Sequence, residues 1–332
     1  MNKKSILEIQ SVYTANAFTV DGVTYIGAGS ETTPAVYLHN LPAGTSSFVD
    51  GCPGGVMSFV PAPGHPDLFY SIMGLFPPFK GLEAGVFMHR RIGESWETAR
   101  IMHLPFAHRC DILVKDGKSW IFAASCSKFK AEPLDWAQAG ELYAIPLDDT
   151  TGLPSTPELV YDKIWRHHGM LKANIAGDDT LLFSGAEGVF YMARVDGRWE
   201  VRQLFDHEVS EFGLIDLDGD GVDELVTIEP VHGNTLNVYK KADAGWEKLY
   251  TDELWFGHGL SCGMFKGEPI IVVGNRRGPL TLNLYKRLAD GSFSHEILED
   301  EVGPTQTQVF TADGVDYILS ANQLKNEVAI YY

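Results

Sequence analysis

The sequence has little positive charge and no long apolar run. It contains 26 Lys and Arg residues against 44 Asp and Glu residues, which gives a formal net charge of −18 at pH 7. An acidic surface repels phosphate backbones and anionic lipids, so we expect neither nucleic acid nor membrane as a partner. Because Glu8 and Gln10 interrupt the first apolar segment, the N-terminus is a poor signal peptide, and no later run approaches membrane-spanning length.

Cysteine is scarce, and the familiar nucleotide-binding fingerprints are missing. The four cysteines, Cys52, Cys110, Cys126 and Cys262, show no CxxC spacing. We therefore expect free, mostly buried thiols in a reducing compartment, which favours a cytoplasmic location. Cys110 and Cys262 are expected to be small channel-lining residues rather than nucleophiles. The chain has no P-loop or dinucleotide-binding motif, so those enzyme classes are not indicated.

One acidic stretch is specific enough to identify a type of repeat. Asp216, Asp218, Asp220 and Glu224 can converge on one hard cation, with glycines at 219 and 221 allowing the tight turn. A β-branched run follows where an EF-hand would need its twelfth ligand and a helix, so the loop joins two strands. The pattern D-x-D-G-D-G-x-x-E resembles the calcium-type loop of FG-GAP/VCBS repeats. That resemblance implies a β-propeller with a structural Ca²⁺ site.

Repeats along the chain support a propeller. Groups of four short strands separated by turn residues recur at roughly 45-residue spacing, as propeller blades do. The sequence predicts an all-β, seven-bladed propeller whose N-terminal strand completes the last blade, because that removes an open sheet edge. The predicted blades span residues 12–50, 51–105, 106–164, 165–208, 209–255, 256–300, and 301–332 together with 3–11, in one domain covering 1–332.

Three blades place a histidine at the same position near the start of the innermost strand. These are His108, His168 and His258, and blade five has Glu211 in the equivalent stretch. Neighbouring blades converge on the axis, so we expect these side chains to meet at the mouth of a funnel. Three imidazoles with a carboxylate can bind Zn²⁺ or Mn²⁺ and leave an open position; alternatively, one histidine serves as a general acid or base. Both alternatives stay open here.

Six further histidines and Arg109 are predicted to point away from the funnel. Six histidines are expected on the surface because they fall in outer strands or loops: His39, His65, His89, His103, His207 and His295. Arg109 follows His108, so strand alternation predicts that it points away from the axis.

Loops on the predicted funnel face supply candidate ligand contacts. Aromatic side chains beside charged and amide groups suit a sugar, and paired arginines suit a carboxylate or phosphate. The candidate substrate-binding residues are Arg276, Arg277, His167, Lys128, Trp136, His232 and Gln306. Phe76, Phe79 and Trp136 have the alternative role of packing two long loops onto the rim. The acidic loop is expected on the opposite face, where its ion would stiffen blade five.

Two functions from different classes fit this sequence. The repeat and the histidine-lined funnel resemble propeller carbohydrate lyases and aldos-2-ulose dehydratase-like enzymes. That resemblance implies a lyase, dehydratase or isomerase acting on a sugar or sugar acid, or on an oligosaccharide, by proton transfer next to a carbonyl or carboxylate. The alternative is a non-catalytic propeller that binds a small ligand or a protein on the same face. The oligomeric state is left open.

Overall fold

The computed structural model describes residues 1–76, 78–243 and 245–332, except for the side chains of 78–80. It contains seven four-stranded antiparallel sheets, arranged as the blades of a ring. This confirms the predicted all-β, seven-bladed propeller. Within the described ranges, the helical segments are two short 3-10 turns, Pro78–Glu83 and Gln323–Lys325. No helix among the described residues has the length and apolar character needed to cross a membrane.

Each blade is built from strands that follow one another along the chain. Strand β1 (Lys3–Glu8) precedes blade one, which consists of β2 (Val12–Val20), β3 (Val23–Ser30), β4 (Val36–Asn40) and β5 (Thr45–Phe48). Blade two has β6 (Ser58–Pro61), β7 (Leu68–Met73), β8 (Gly85–Ile92) and β9 (Ser95–His103). Blade three has β10 (Ala107–Lys115), β11 (Lys118–Ser125), β12 (Gly140–Pro146) and β13 (Glu158–Ile164).

The remaining blades have the same order of strands. Blade four has β14 (Met170–Ile175), β15 (Asp178–Gly185), β16 (Gly188–Val195) and β17 (Arg198–Phe205). Blade five has β18 (Phe212–Ile215), β19 (Glu224–Glu229), β20 (Thr235–Ala242) and β21 (Gly245–Glu253). Blade six has β22 (Gly257–Phe265), β23 (Glu268–Asn275), β24 (Leu282–Arg287) and β25 (Phe293–Glu299). Blade seven has β26 (Pro304–Ala312), β27 (Val315–Asn322) and β28 (Glu327–Tyr331).

The N-terminal strand closes the ring. Strand β1 pairs antiparallel with β28, with Lys3 opposite Tyr331 and Glu8 opposite Glu327. It thereby becomes the fourth strand of blade seven, as the sequence predicts. An unpaired β28 would expose a row of backbone N–H and C=O groups, so this pairing removes a potential aggregation edge.

The hydrophobic core lies between adjacent blades. In β15, the consecutive residues Leu181, Leu182 and Phe183 are all fully buried. Neighbouring blades cover both faces of the second strand of a blade. Its sequence is therefore a continuous run of apolar residues and does not alternate between apolar and polar residues. The interface of blades three and four shows this packing, because Phe122 and Phe183 belong to one buried cluster.

Several innermost strands begin with a β-bulge. The register between first and second strands shifts after Val12 in β2, after Ala107 in β10, and after Pro304 in β26. A similar shift occurs in β22 between Gly257 and Leu260. Each bulge adds one residue to the innermost strand and re-aims the local side chains. The bulged positions carry Tyr13, His108, His258 and Thr305.

Strand direction gives the ring two different faces. We call the face with the starts of the innermost strands and the loops between second and third strands the loop face. The opposite face, with the turns between first and second strands, is called the turn face. The acidic loop connects β18 to β19 and therefore lies on the turn face, as expected from the sequence.

Candidate functional site: an axial histidine cluster

Five histidines from blades three to six form one cluster near the axis. His168 is central, because its ring centroid lies 4.6 Å from that of His108, 4.7 Å from that of His232 and 5.0 Å from that of His258. His167 lies at the edge, 6.1 Å from His108. The sequence predicted an open funnel mouth, but His108, His168 and His258 are only 6%, 3% and 0% exposed. The cluster is therefore enclosed, and His232 is its partly exposed member.

Contacts outside the cluster set the tautomers of two of these histidines. His258 Nδ1 lies 2.6 Å from the carbonyl oxygen of Thr305 and must donate to it. His168 Nδ1 lies 2.7 Å from Glu211 Oε1, at an angle bent away from that of an ordinary hydrogen bond. Protons on both Nδ1 atoms leave the Nε2 lone pairs free. The Nε2 atom of His258 accepts from the Tyr13 hydroxyl, 2.9 Å away.

Burial keeps these imidazoles neutral near pH 7. Desolvation is the main cause that lowers the pKa of His108, His168 and His258 well below the usual value, with neighbouring histidines and arginines adding to it. Desolvation likewise lowers the pKa of His167 and of His232 to about 4. Neutral imidazoles can accept hydrogen bonds or bind a metal, but they are poor proton donors to a substrate.

A buried ion pair lies next to the cluster. Arg109 Nη2 donates to Glu211 Oε1 over 2.7 Å, and Arg109 Nε and Nη1 donate to the carbonyl oxygens of His168 and Met57. Arg109 and Glu211 are 8% and 9% exposed. The prediction that Arg109 points away from the axis is wrong, because the bulge at His108 breaks the alternation on which it rested.

Three of the five histidines have ring nitrogens that lie close to one another. The converging set is His168, His232 and His258, with one ligand atom of each within 4.8 Å of the others. His232 Nε2 is 3.0 Å from His168 Nε2. The sequence proposed His108, His168 and His258; the structure brings all three into the cluster, but His232 rather than His108 belongs to the converging set.

A polar cavity occupies the axis on the other side of the Arg109–Glu211 pair. Its volume is about 650 Å³, and all seven innermost strands line it, mostly with residues of their first and middle parts. Arg109, Glu211 and Gln306 lie at its inner end, while Asp223 lies towards the turn face. The sequence predicted ligand binding on the loop face, whereas this cavity extends towards the face that carries the acidic loop.

Most loop-face candidates are engaged with protein groups. Arg276 Nη2 lies 2.9 Å from Glu31 Oε1 and also donates to Gln323, and Arg277 stacks 4.2 Å above the ring of Phe256. Lys128 Nζ is 3.3 Å from Glu141. The ring of Trp136 lies 3.4 Å below Lys130 Nζ.

Some other residues lie where the sequence predicted, and others do not. Phe76 packs against Tyr13 at 4.9 Å, whereas the side chain of Phe79 lies outside the described residues. His39 and His89 were expected on the surface, but they are 4% and 0% exposed, because blade packing covers both. The four cysteines are free; Cys110 and Cys262 line the axial cavity, and burial raises the pKa of both thiols. Neutral thiols there agree with a lining role.

The acidic loop is folded as a compact carboxylate cluster. Asp216, Asp218 and Glu224 bring carboxylate oxygens within 4.8 Å of one another. Backbone N–H groups of residues 219 and 221 donate to Asp216, and both glycines have positive φ, 79° and 85°. Calcium binding here stays a prediction.

A lysine competes for the same carboxylates. Lys240 Nζ lies 2.5 Å from Asp218, 2.6 Å from Asp220 and 3.4 Å from Glu224. Arg287 adds a contact of 2.7 Å to Asp218. These two cations already offset part of the negative charge that a calcium ion would neutralise.

Sequence reasoning missed Tyr13, Arg109 and Thr305 at the axis. The structure places a left-handed residue two positions before several axial side chains: Ser11 before Tyr13, Phe106 before His108 and Phe256 before His258, with φ of 50°, 56° and 53°. His108 lies 12 residues before Trp120 of the second strand, and counting back 12 residues from the equivalent Tyr25 in blade one reaches Tyr13 instead of Asn16. The same count of 12 residues back from Tyr317 reaches Thr305, and Gly303, with a φ of 56°, stands two positions before it.

Comparison with known proteins supports the fold. No protein-family model matches this sequence, and no curated protein matches it. The Dos1 propeller is similar at 9% identity and a TM-score of 0.57, over 96% of this chain and 77% of that one. The β-propeller domain of Cps50 (Swd1) from Myceliophteria thermophila is similar at 9% identity and a TM-score of 0.57, over 96% and 98% of the two chains.

A third structure of this kind comes from a bacterium. A Bacteroides uniformis protein, proposed to be a 6-phosphogluconolactonase, is similar at 10% identity and a TM-score of 0.57, over 98% of this chain and 92% of that one. At such identities the likeness establishes the propeller fold alone. The chain is thus a seven-bladed β-propeller whose axis holds a buried histidine cluster.

Proposed function

We propose that the protein is a carbohydrate-active enzyme of the lyase, dehydratase or isomerase type, and that its sugar or sugar-acid substrate binds in the axial cavity. The observation that carries this proposal is the state of Glu211 at the inner end of the cavity. Its Oε1 atom is held by Arg109, whereas within the described part of the chain Oε2 accepts no protein hydrogen bond. A positioned carboxylate oxygen beside a cavity suits a general base.

The cavity has the size and chemistry of a small polar ligand site. A volume of about 650 Å³ falls in the ordinary range of small-molecule pockets. Its walls carry amide, hydroxyl and charged groups, including Asn16, Ser261 and Lys172. Hydroxyl-rich sugars need such mixed donors and acceptors, and Arg109 or Lys172 suits the carboxylate of a sugar acid.

The ion pair supplies both parts of an elimination or isomerisation. A C–H bond next to the substrate carbonyl or carboxylate breaks, its proton passes to Glu211 Oε2, and the electron pair moves onto the substrate oxygen. The remaining N–H groups of Arg109 stabilise that developing negative charge. In an elimination, the enolate expels a hydroxyl or alkoxyl group from the carbon on its other side, and that oxygen takes the proton held by Glu211. In an isomerisation, Glu211 returns its proton to the former carbonyl carbon, and the hydroxyl proton of the enediolate moves to the first oxygen.

The test is a panel of aldoses, aldonic acids and uronic acids, with oligosaccharides, incubated with the protein in D₂O. ¹H NMR reports both deuterium incorporation next to the carbonyl or carboxylate and formation of an alkene or isomer. The Glu211→Gln variant should lose at least ~100-fold in rate, as expected for removal of a general base. Glu141→Gln, on the loop face, is the matched control and should keep its activity.

The alternative function is non-catalytic binding. Leu134 and Phe129 in the insertion of blade three are 84% and 44% exposed, which suits a surface for a partner. Calorimetric titration of the same panel separates the two functions. Binding with neither turnover nor exchange would overturn the enzyme proposal and favour the binding propeller, and a normal rate in Glu211→Gln would overturn the role of Glu211.

A further inference from the structure

The cluster offers a donor set of a kind that soft or borderline metal ions prefer. His168 precedes β14, His232 lies in the loop between β19 and β20, and His258 lies in β22, so three consecutive blades each contribute one imidazole. The Nε2 atoms of His168 and His232 are 3.0 Å apart. Zinc–nitrogen bonds of ~2.0–2.1 Å in a tetrahedral site imply ligand separations of about 3.3 Å, close to this distance.

Outer contacts hold two of the rings in the required tautomer. The Thr305 carbonyl oxygen lies 2.6 Å from His258 Nδ1, and Glu211 Oε1 lies 2.7 Å from His168 Nδ1. The first contact is a hydrogen bond that places a proton on His258 Nδ1, and the nearby Glu211 carboxylate favours a proton on His168 Nδ1, so both Nε2 atoms carry lone pairs. Carbonyl and carboxylate groups behind ligating histidines are the usual supports of metal centres.

A metal ion would replace two hydrogen bonds of the cluster. Without an ion, one hydrogen bond of 3.0 Å joins His232 Nε2 to His168 Nε2, and the Tyr13 hydroxyl donates to His258 Nε2 over 2.9 Å. With the proton of His232 on Nδ1, all three imidazoles can instead offer a ring-nitrogen lone pair to one ion. The Tyr13 hydroxyl would then be an oxygen close to this set of ligands.

We propose that His168, His232 and His258 bind a divalent transition-metal ion on the propeller axis, with Zn²⁺ as the first candidate. Nitrogen ligands select Zn²⁺ and its neighbours over Ca²⁺ and Mg²⁺, which prefer oxygen. His108 lies outside the converging set, although its ring is 4.6 Å from that of His168. The proposal does not rest on the carbohydrate activity, since metal content is measured without any substrate.

The experiment compares His232→Ala with His108→Ala. The protein and both variants are stripped with a chelator, loaded with ZnCl₂ in excess Ca²⁺ to occupy the acidic loop, and dialysed before elemental analysis. The wild type and His108→Ala should each retain about one zinc ion per chain. His232→Ala should retain less than a tenth of that, while its thermal melting confirms that it folds.

A second measurement keeps the proposal testable if His232→Ala does not fold. Co²⁺ added to the stripped wild type should give the intense visible absorption of a tetrahedral, nitrogen-rich site, and equimolar Zn²⁺ should abolish it. Wild-type protein that retains no zinc, or that gives no such absorption, would overturn the proposal. So would an equal loss of zinc in His108→Ala and His232→Ala.

Discussion

The hydroxyl of Tyr13 lies 2.9 Å from Nε2 of His258, which joins blade one to blade six. Blade seven stands between these two blades in the ring. The contact therefore crosses the axial region rather than the interface of adjacent blades, and both residues occupy β-bulges at the starts of their innermost strands. The axial cluster thus connects blades that are not adjacent in the ring.

Replacing Tyr13 with Phe should destabilise the propeller. The change removes the hydroxyl and leaves a buried acceptor without its partner, which costs roughly 1–3 kcal/mol. Urea denaturation followed by fluorescence measures the free energy of unfolding. Tyr37→Phe is the control, because Tyr37 is only partly buried and packs on Phe48 through its ring. Equal losses in the two variants would show that the Tyr13 hydroxyl contributes nothing.

The Arg109–Glu211 pair should behave as a coupled buried unit. Both side chains are only about one-tenth exposed. Removing one partner, as in Arg109→Met, leaves a buried charge and should cost ~3–5 kcal/mol.

The double variant Arg109→Met/Glu211→Gln should cost less than the sum of the two single variants, because it leaves neither charge unpaired. A double-mutant cycle of unfolding free energies gives the coupling. Strict additivity would contradict the proposed pairing.

The stability should fall as the pH drops below about 6.5, with His89 as one cause. Burial lowers the pKa of His89 to about 3 in the folded protein, and its ring nitrogens contact Ser71 and Thr98. The unfolded chain takes up this proton near pH 6.5, whereas the folded protein does not. Between about pH 6 and 3, this one residue therefore reduces the unfolding free energy by ~1.4 kcal/mol per pH unit.

The pH dependence of the His89→Gln variant checks this assignment. Its unfolding free energy should decline less steeply than that of the wild type between pH 6 and 4, even if it is lower at pH 7. His207→Gln, at an exposed position, should reproduce the wild-type slope. An unchanged slope in His89→Gln would assign the acid sensitivity to other groups.

Calcium should affect the Lys240→Met variant more than the wild type. In the wild type the Lys240 ammonium contacts Asp218, Asp220 and Glu224, so a calcium ion must displace it. Without the lysine, carboxylate repulsion should destabilise the apo protein, and bound calcium should restore the melting temperature.

Differential scanning calorimetry with CaCl₂ or EDTA measures both effects. Lys286→Met is the control, because Lys286 contacts Glu268 outside the acidic loop. A larger calcium response in the wild type than in Lys240→Met would show that Lys240 does not compete with the ion.

The sequence alone determined the repeat, the number of blades, the closure by the N-terminal strand and the face of the acidic loop. These properties follow from local signals: short apolar runs, turn residues and strand direction, each readable within a few tens of residues. The common position of His108, His168 and His258 near the axis was predictable for the same reason, because it repeats at a fixed distance before the second strand.

Only the tertiary structure decided how these residues combine. A single bulge at His108 turned Arg109 inward, and a bulge is set by pairing between strands rather than by the pattern of one strand. His232 reached the axis through the path of its loop, and Lys240 reached the acidic loop from a neighbouring strand. Burial made the histidines neutral, and the axial cavity extends towards the turn face; both depend on the packing of all seven blades.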